Sequence, residues 1–222
     1  MAMVFLVRHS QASFGTSDYD RLSDLGHQQA RWLGEYFAAR GLSFSRVMTG
    51  TLRRQRETAA GVLTAMGVSA DVLVHPGLNE YHAEPLFRAH TGEDPITAQR
   101  RDYAGYWRMF RAAMLAWSDD ALTDIPETWQ QFGDRIQDAW ARAIEGTRRD
   151  DNVLVVSSGG AIGRGVAQIL GATAATAIEL NLQFRNSGFC ELIAGGGKLR
   201  MLSFNNVPHL DHPERRHAVT FA

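Results

Sequence analysis

Continuous apolar runs alternate along this chain with longer stretches whose apolar residues recur every three or four positions. Residues 4–7, VFLV, and 153–156, VLVV, have the pattern of strands buried on both faces. Residues 44–48 and 71–75 are further strand candidates, the second ending at Pro76-Gly77. Ser23 or Asp24 caps a helix whose apolar face uses Leu25, Trp32, Leu33, Tyr36 and Phe37, with Gly41 ending it. A second helix starts near Leu52 and runs to about Met66. From 82 to about 151 the pattern turns to aromatic-rich helix, notably 100–117 and 127–147, separated by polar turns around 118–126. Residues 157–160, SSGG, lead from strand into a helix ending near Leu170, and 189–193 with 199–204 form a hairpin around Gly195-Gly196-Gly197. The alternation predicts an α/β fold: a three-layer α/β/α sandwich with a mostly parallel central sheet. No internal repeat or Pro-rich linker divides it, so 1–222 is read as a single domain with a helical cap insertion at 82–151.

Composition narrows the partners. With 23 basic and 24 acidic residues, the formal charge of -1 gives no electrostatic case for nucleic acid or membrane. Cys190 is the single cysteine, which excludes an intrachain disulfide framework and fits a cytoplasmic address. The apolar run 3–7 is too short for a signal-peptide core or a spanning helix, and Arg8 stops it.

Ligands of such sheets bind beyond the carboxyl ends of the strands. That edge collects Arg8-His9, the Arg53-Arg54 turn, Glu80 and Ser158-Gly159. Arg53, Arg54 and Arg56 crowd the start of a helix, where each exposed cation costs roughly 0.3 to 1 kcal/mol against the dipole, so an anion is expected there. The strand, small residues and helix at 153–170 leave backbone N–H groups aimed outward, which suits phosphate. On a phosphate ester, His9 could attack phosphorus through a neutral ring nitrogen while Arg8 and Arg54 hold the oxygens. Glu80 could protonate the leaving oxygen and then activate water, with no metal required.

Each of these residues also has a plainer reading. His9 alone would be a structural histidine, Arg53 and Arg56 a solvated helix face, and Glu80 a partner for a cap arginine. Ser158-Gly159-Gly160 could be a tight turn only. His209, Asp211, His212 and His217 are read as a surface tail rather than a metal site. Trp107, Met109, Phe110, Met114 and Trp117 read as the core of the cap, a share of them facing the pocket and favouring an apolar or aromatic leaving group. Arg100, Arg101, Arg108 and Arg111 read mostly as a solvated face.

The ordered set of motifs weighs most for the catalytic reading of His9. LVRHSQ resembles the RHG signature of the histidine phosphatase superfamily, also called phosphoglycerate mutase-like. LSDLGHQQARWLG, TGTLRRQRETA, LNEY, VLVVSSGGAIG, RNSGFCEL and NNVPHL resemble its further motifs in order and spacing, leaving only the cap uncovered. The resemblance implies a phosphohistidine on His9, Glu80 as acid and base, and Arg8, Arg54, Ser158 and Gly159 around the phosphate, with Ser10, Gln11 and Gly160 bordering the pocket. It departs from the pattern at Ser10 for Gly, Ala12 for Ser or Thr, Gly15 for Asn, and Ser158 for the second histidine of SHGG. A neutral serine there removes a charge-stabilising donor, a loss typically on the order of 100- to 1000-fold in rate. The expected activity is phosphomonoester hydrolysis without a cofactor, on a small phosphorylated substrate that releases inorganic phosphate. A degenerate member that binds phosphate compounds or a partner, and a phosphoglycerate mutase-like transferase, are the alternatives. Whether the chain forms a homo-oligomer stays open.

Overall fold

In the computed structural model, which describes residues 1–13 and 19–221, the two apolar runs lie side by side at the centre of a six-stranded sheet. The runs are β1 (Ala2–Arg8) and β4 (Asn152–Ser157), paired in parallel from Met3 opposite Asn152 to Arg8 opposite Ser157. β2 (Arg46–Thr49) pairs in parallel with β4, and β3 (Val72–Val74) with β2. On the far side of β1 the hairpin β5 (Phe189–Gly195) and β6 (Lys198–Asn206) joins antiparallel. The order β3-β2-β4-β1-β5-β6 makes the sheet mixed and mostly parallel, as expected. β3 forms one edge of the sheet, and its three residues are exposed.

Strand alternation sends successive side chains to opposite faces and so builds two cores. Phe5, Val7, Val47, Leu154 and Val156 pack on one face with Leu33 and Phe37 of α1 (Asp24–Ala39) and Val62 and Leu63 of α2 (Arg53–Ala65). Val4, Leu6, Met48, Val153 and Val155 pack on the other, with the helices that follow β3 and β4. These are α3 (Ala83–Thr91), α4 (Pro95–Arg101), α5 (Tyr103–Ser118), α6 (Trp129–Ile144), α7 (Gly159–Leu170) and α8 (Ala174–Gln183).

Several expectations from the sequence need correction. The helix expected at 100–117 is broken at Asp102, whose extended backbone and side-chain bond to the Gly105 N–H at 2.9 Å end α4 and start α5. α8 was not anticipated, because its apolar spacing is weak. The buried face of α1 is rotated from the expected stripe. Gly26, Gln29, Ala30 and Gly34 are buried, while Leu25, Trp32 and Tyr36 are half-buried. Gln29 tolerates burial because its amide donates to the Ala218 carbonyl and the Thr220 hydroxyl and accepts from the Gln11 N–H at 2.8 Å. The tail is not a surface tail throughout. His209 is buried at 3% exposure with Nε2 2.7 Å from the Ser187 hydroxyl, and desolvation followed by the Arg215 charge lowers its pKa to about 3.

Glycine sets the approach of α1 to α2. A Cβ on Gly34 would sit 2.3 Å from the Val62 carbonyl oxygen and 2.7 Å from the Ala65 Cβ. Gly34→Ala is therefore expected to lower stability by roughly 1 to 3 kcal/mol, although alanine is the better helix former. Urea denaturation measures it, and an unchanged or raised midpoint would refute this close packing.

Candidate active site

The site begins where β1 runs out. The His9 N–H donates to the Ser157 carbonyl at 2.8 Å and the Arg8 N–H to that of Gly188 at 2.9 Å, which fixes both residues at the sheet's carboxyl edge. Ser10 continues the fixing: its N–H donates to the Thr58 hydroxyl at 3.0 Å, and that hydroxyl donates to the Arg54 carbonyl at 2.7 Å. The loop bearing His9 is thereby bound to the first turns of α2.

His9 is buried at 5% exposure. Its Nδ1 lies 2.8 Å from the Ser10 carbonyl oxygen, which can only accept, so Nδ1 carries the proton. Nε2 is left with its lone pair and accepts from Arg54 Nε at 3.2 Å. Desolvation first, then the charges of Arg54 and Arg8, push the imidazole pKa well below its ordinary 6.5. A neutral ring held in one tautomer between two cations is the form a nitrogen nucleophile needs.

Arg8 is also buried, and desolvation lowers its pKa against the raising influence of Glu80. One guanidinium nitrogen, Nη1, donates to the carbonyl of Phe184 at the end of α8, while Nε has no partner among the described residues. A cation beside a helix C-terminus is favourably placed. Arg54 Nη1 reaches Asp20 Oδ1 at 2.6 Å, and its guanidinium lies 5.3 Å from the centre of the Tyr19 ring. The other oxygen of Asp20 accepts from the Arg53 N–H at 2.8 Å. The anion expected at the start of α2 is thus supplied, in this structure, by the chain's own carboxylate. Arg53 pairs with Glu57 one turn on at 2.6 Å, and Arg56 is exposed.

Glu80 follows the 3-10 turn Pro76–Leu78. Its Oε2 accepts from the Gly160 N–H at 2.9 Å and its Oε1 from the Tyr81 N–H at 3.2 Å. Desolvation outweighs these bonds and the nearby arginines, so its pKa is raised above 4.5. The segment is held from α6, where Arg135 donates to the carbonyls of Gly77 at 3.1 Å and Asn79 at 2.8 Å and pairs with Glu127 at 2.7 Å. Opposite lies the start of α7. A Cβ on Gly159 would meet the Arg8 guanidinium at 3.4 Å, and one on Gly160 would meet the Tyr81 ring at 2.2 Å and Glu80 Oε1 at 2.3 Å. At Gly160 only glycine allows α7 to approach so closely, whereas the Gly159 spacing to Arg8 is ordinary contact. Ser158 is fully buried, and its hydroxyl accepts from Gln55 Nε2 at 2.8 Å.

The structure therefore gathers Arg8, His9, Arg54, Glu80, Ser158 and Gly159 at one edge. The expected pocket neighbours divide. Gln11 borders a cavity of about 600 Å³ together with Arg8, His9, Tyr19 and Asn186. Ser10 is fully buried instead, and Gly160 packs on Glu80 and Tyr81. Gly15 lies outside the described residues, and Ala12 is buried beside Leu22. Among the described residues no three His, Cys, Asp or Glu side chains gather as metal ligands. Sequence reasoning missed Asp20, Gln55 and Arg135, because a carboxylate in a polar loop and two polar residues on helices carry no local signal of what they meet.

A model of the histidine phosphatase superfamily (branch 1) matches residues 4–207. The chain belongs to that family. Two curated members are similar over part of its length, both named 2,3-bisphosphoglycerate-dependent phosphoglycerate mutase. That of Azorhizobium caulinodans is 31% identical over 46% of this chain and 56% of its own, and that of Mesorhizobium japonicum 32% identical over 44% and 54%. The chain thus spans about half the length of the curated relatives it matches. The fold is that of a mycobacterial glucosyl-3-phosphoglycerate phosphatase solved with inorganic phosphate (TM-score 0.67, 21% identity, 94% of this chain and 99% of that one). It is equally that of an Entamoeba histolytica phosphoserine phosphatase solved with 3-phosphoglyceric acid (TM-score 0.68, 18% identity, 95% and 100%).

The ring chemistry of His9 can be tested without substrate. Nitrogen-resolved NMR of the imidazole is expected to show the Nδ1–H tautomer at pH 7 and to keep it, uncharged, as the pH falls through 6.5. Titration at or above that value would contradict the buried, doubly flanked ring.

Proposed function

We propose that this chain is a phosphomonoester hydrolase that works through a phosphohistidine on His9. The observation that carries this reading is the unprotonated Nε2, 3.2 Å from the Arg54 Nε donor, in a ring whose proton is held on Nδ1 by the Ser10 carbonyl. In the first step Nε2 bonds to phosphorus and the P–O ester bond breaks, its electron pair leaving with the oxygen. Glu80, whose raised pKa favours the acid form, gives that oxygen its proton. In the second step a water bonds to phosphorus as the N–P bond breaks, and the Glu80 carboxylate takes the water's proton. Orthophosphate departs and His9 is neutral again. Arg8, Arg54 and the Gly159 N–H offer donors to the phosphoryl oxygens through both steps. The scheme needs no metal, and a small phosphorylated compound is the substrate class.

A second reading is favoured by one finding, the 31% and 32% identity to phosphoglycerate mutases. A mutase would pass the phosphoryl group back to a bound phosphoglycerate instead of to water. Incubation with 3-phosphoglycerate and 2,3-bisphosphoglycerate separates the two: release of orthophosphate supports hydrolysis, and interconversion of phosphoglycerates without release supports transfer.

Steady-state hydrolysis of an alkyl and an aryl phosphate tests the residue roles. His9→Ala is expected to abolish both activities. Glu80→Gln is expected to cost about 100- to 10,000-fold on the alkyl ester and much less on the aryl ester, whose oxygen leaves without a proton. Glu80 must be protonated in the first step, so alkyl ester turnover should fall as the pH rises through its raised pKa, and Glu80→Gln should remove that limb. Equal loss on both esters would refute the acid role.

A further inference from the structure

Gln55 is fully buried on the first turn of α2, one residue after Arg54. Its side-chain amide has two N–H groups, and both are committed: Nε2 donates to the Leu78 carbonyl at 2.9 Å and to the Ser158 hydroxyl oxygen at 2.8 Å. The orientation is fixed by chemistry, since turning the amide over would set Oε1 against the Leu78 carbonyl, an acceptor against an acceptor. Nε2 cannot accept, so Ser158 must be the acceptor in this pair and keeps its own proton. Among the described residues no acceptor takes that proton. Ser158 follows directly on Ser157, the partner of Arg8 in the β1–β4 register, and so flanks His9 at the end of the sheet. Gly159, next along, faces the Arg8 guanidinium.

We propose that Gln55 is a positioning residue that sets the polarity of the Ser158 hydroxyl, so that Ser158 donates a hydrogen bond to the phosphoryl group in transit. This rests on the phosphatase reading of the site. A serine hydroxyl free to rotate can accept or donate, and orientations that turn a lone pair toward the phosphoryl oxygens would repel them. With Gln55 filling one of the two lone pairs and no acceptor among the described residues taking the hydrogen, that hydrogen is available to a phosphoryl oxygen, and a donor placed in advance stabilises charge that develops in a transition state. The pair offers a neutral substitute at the position where the sequence resemblance expects a second histidine. It also ties three parts of the site together: the α2 turn bearing Arg54, the β4 end beside His9, and Leu78, two residues before Glu80.

A double-mutant cycle on aryl phosphate hydrolysis tests the assignment, with Ser158→Ala, Gln55→Met and the pair, kcat and KM being read separately and the melting temperature alongside. Methionine keeps the volume, and Leu78 keeps the Ser157 hydroxyl as donor at 2.7 Å. Ser158→Ala is expected to lower kcat by about 100-fold with KM little changed. Gln55→Met is expected to lower kcat in the wild-type background and to have no further effect in Ser158→Ala, although it lowers the melting temperature in both. Multiplying losses in kcat, or full activity of Gln55→Met, would overturn the assignment and leave hydrolysis itself intact. A wild type with no turnover on any phosphate ester would overturn the phosphatase reading and this inference with it.

Discussion

Two guanidinium groups buried against one imidazole are the constraint on which this structure turns. Burial depresses the histidine's basicity most, and the Arg54 and Arg8 charges add to it, so His9 stays neutral where an exposed histidine would begin to charge. That repulsion must be borne by the scaffold. Arg8 is offset by the carbonyl end of α8 and by nearby Glu80, and Arg54 by Asp20. The Asp20 carboxylate takes the Arg53 N–H and an Arg54 nitrogen, so under the proposed function a phosphate would have to compete with it for those donors.

The two-core sandwich explains why such a charge cluster survives. β1 and β4 are held by apolar side chains on both faces, and their register sets Arg8 opposite Ser157. From that rigid edge, α2 brings Arg54, the 3-10 turn brings Glu80 and α7 brings Gly159. Each arrives through a specific brace: Thr58 for the His9 loop, Arg135 for the Glu80 segment, and glycine at 160 for the close approach of α7.

Much of this was legible in the sequence wherever a signal is local. Runs such as VFLV and VLVV identify buried strands, Ser23 and Gly41 bracket a helix, and the motifs around Arg8, His9, Arg54, Glu80 and Ser158 place them at one sheet edge. What was hidden depends on distant partners. Asp102 splits a helix through its own side chain, His209 is buried against Ser187, Gln29 sits in the interior because groups from elsewhere satisfy its amide, and the Gln55 amide nitrogen is taken by the Leu78 carbonyl and the Ser158 hydroxyl. The three-arginine helix start reads as the site of a bound anion, and only tertiary structure could show that Asp20 meets Arg54 and the Arg53 N–H there.

The central claim is chemical: the phosphoryl group rests on His9 Nε2 between donor and water. The direct measurement is a rapid alkaline quench during turnover of an ester labelled in its phosphate, followed by peptide mapping. The expected result is label on His9, stable to alkali and lost in acid, that chases into orthophosphate at the rate of turnover. Undiminished hydrolysis with no label on His9 would contradict it.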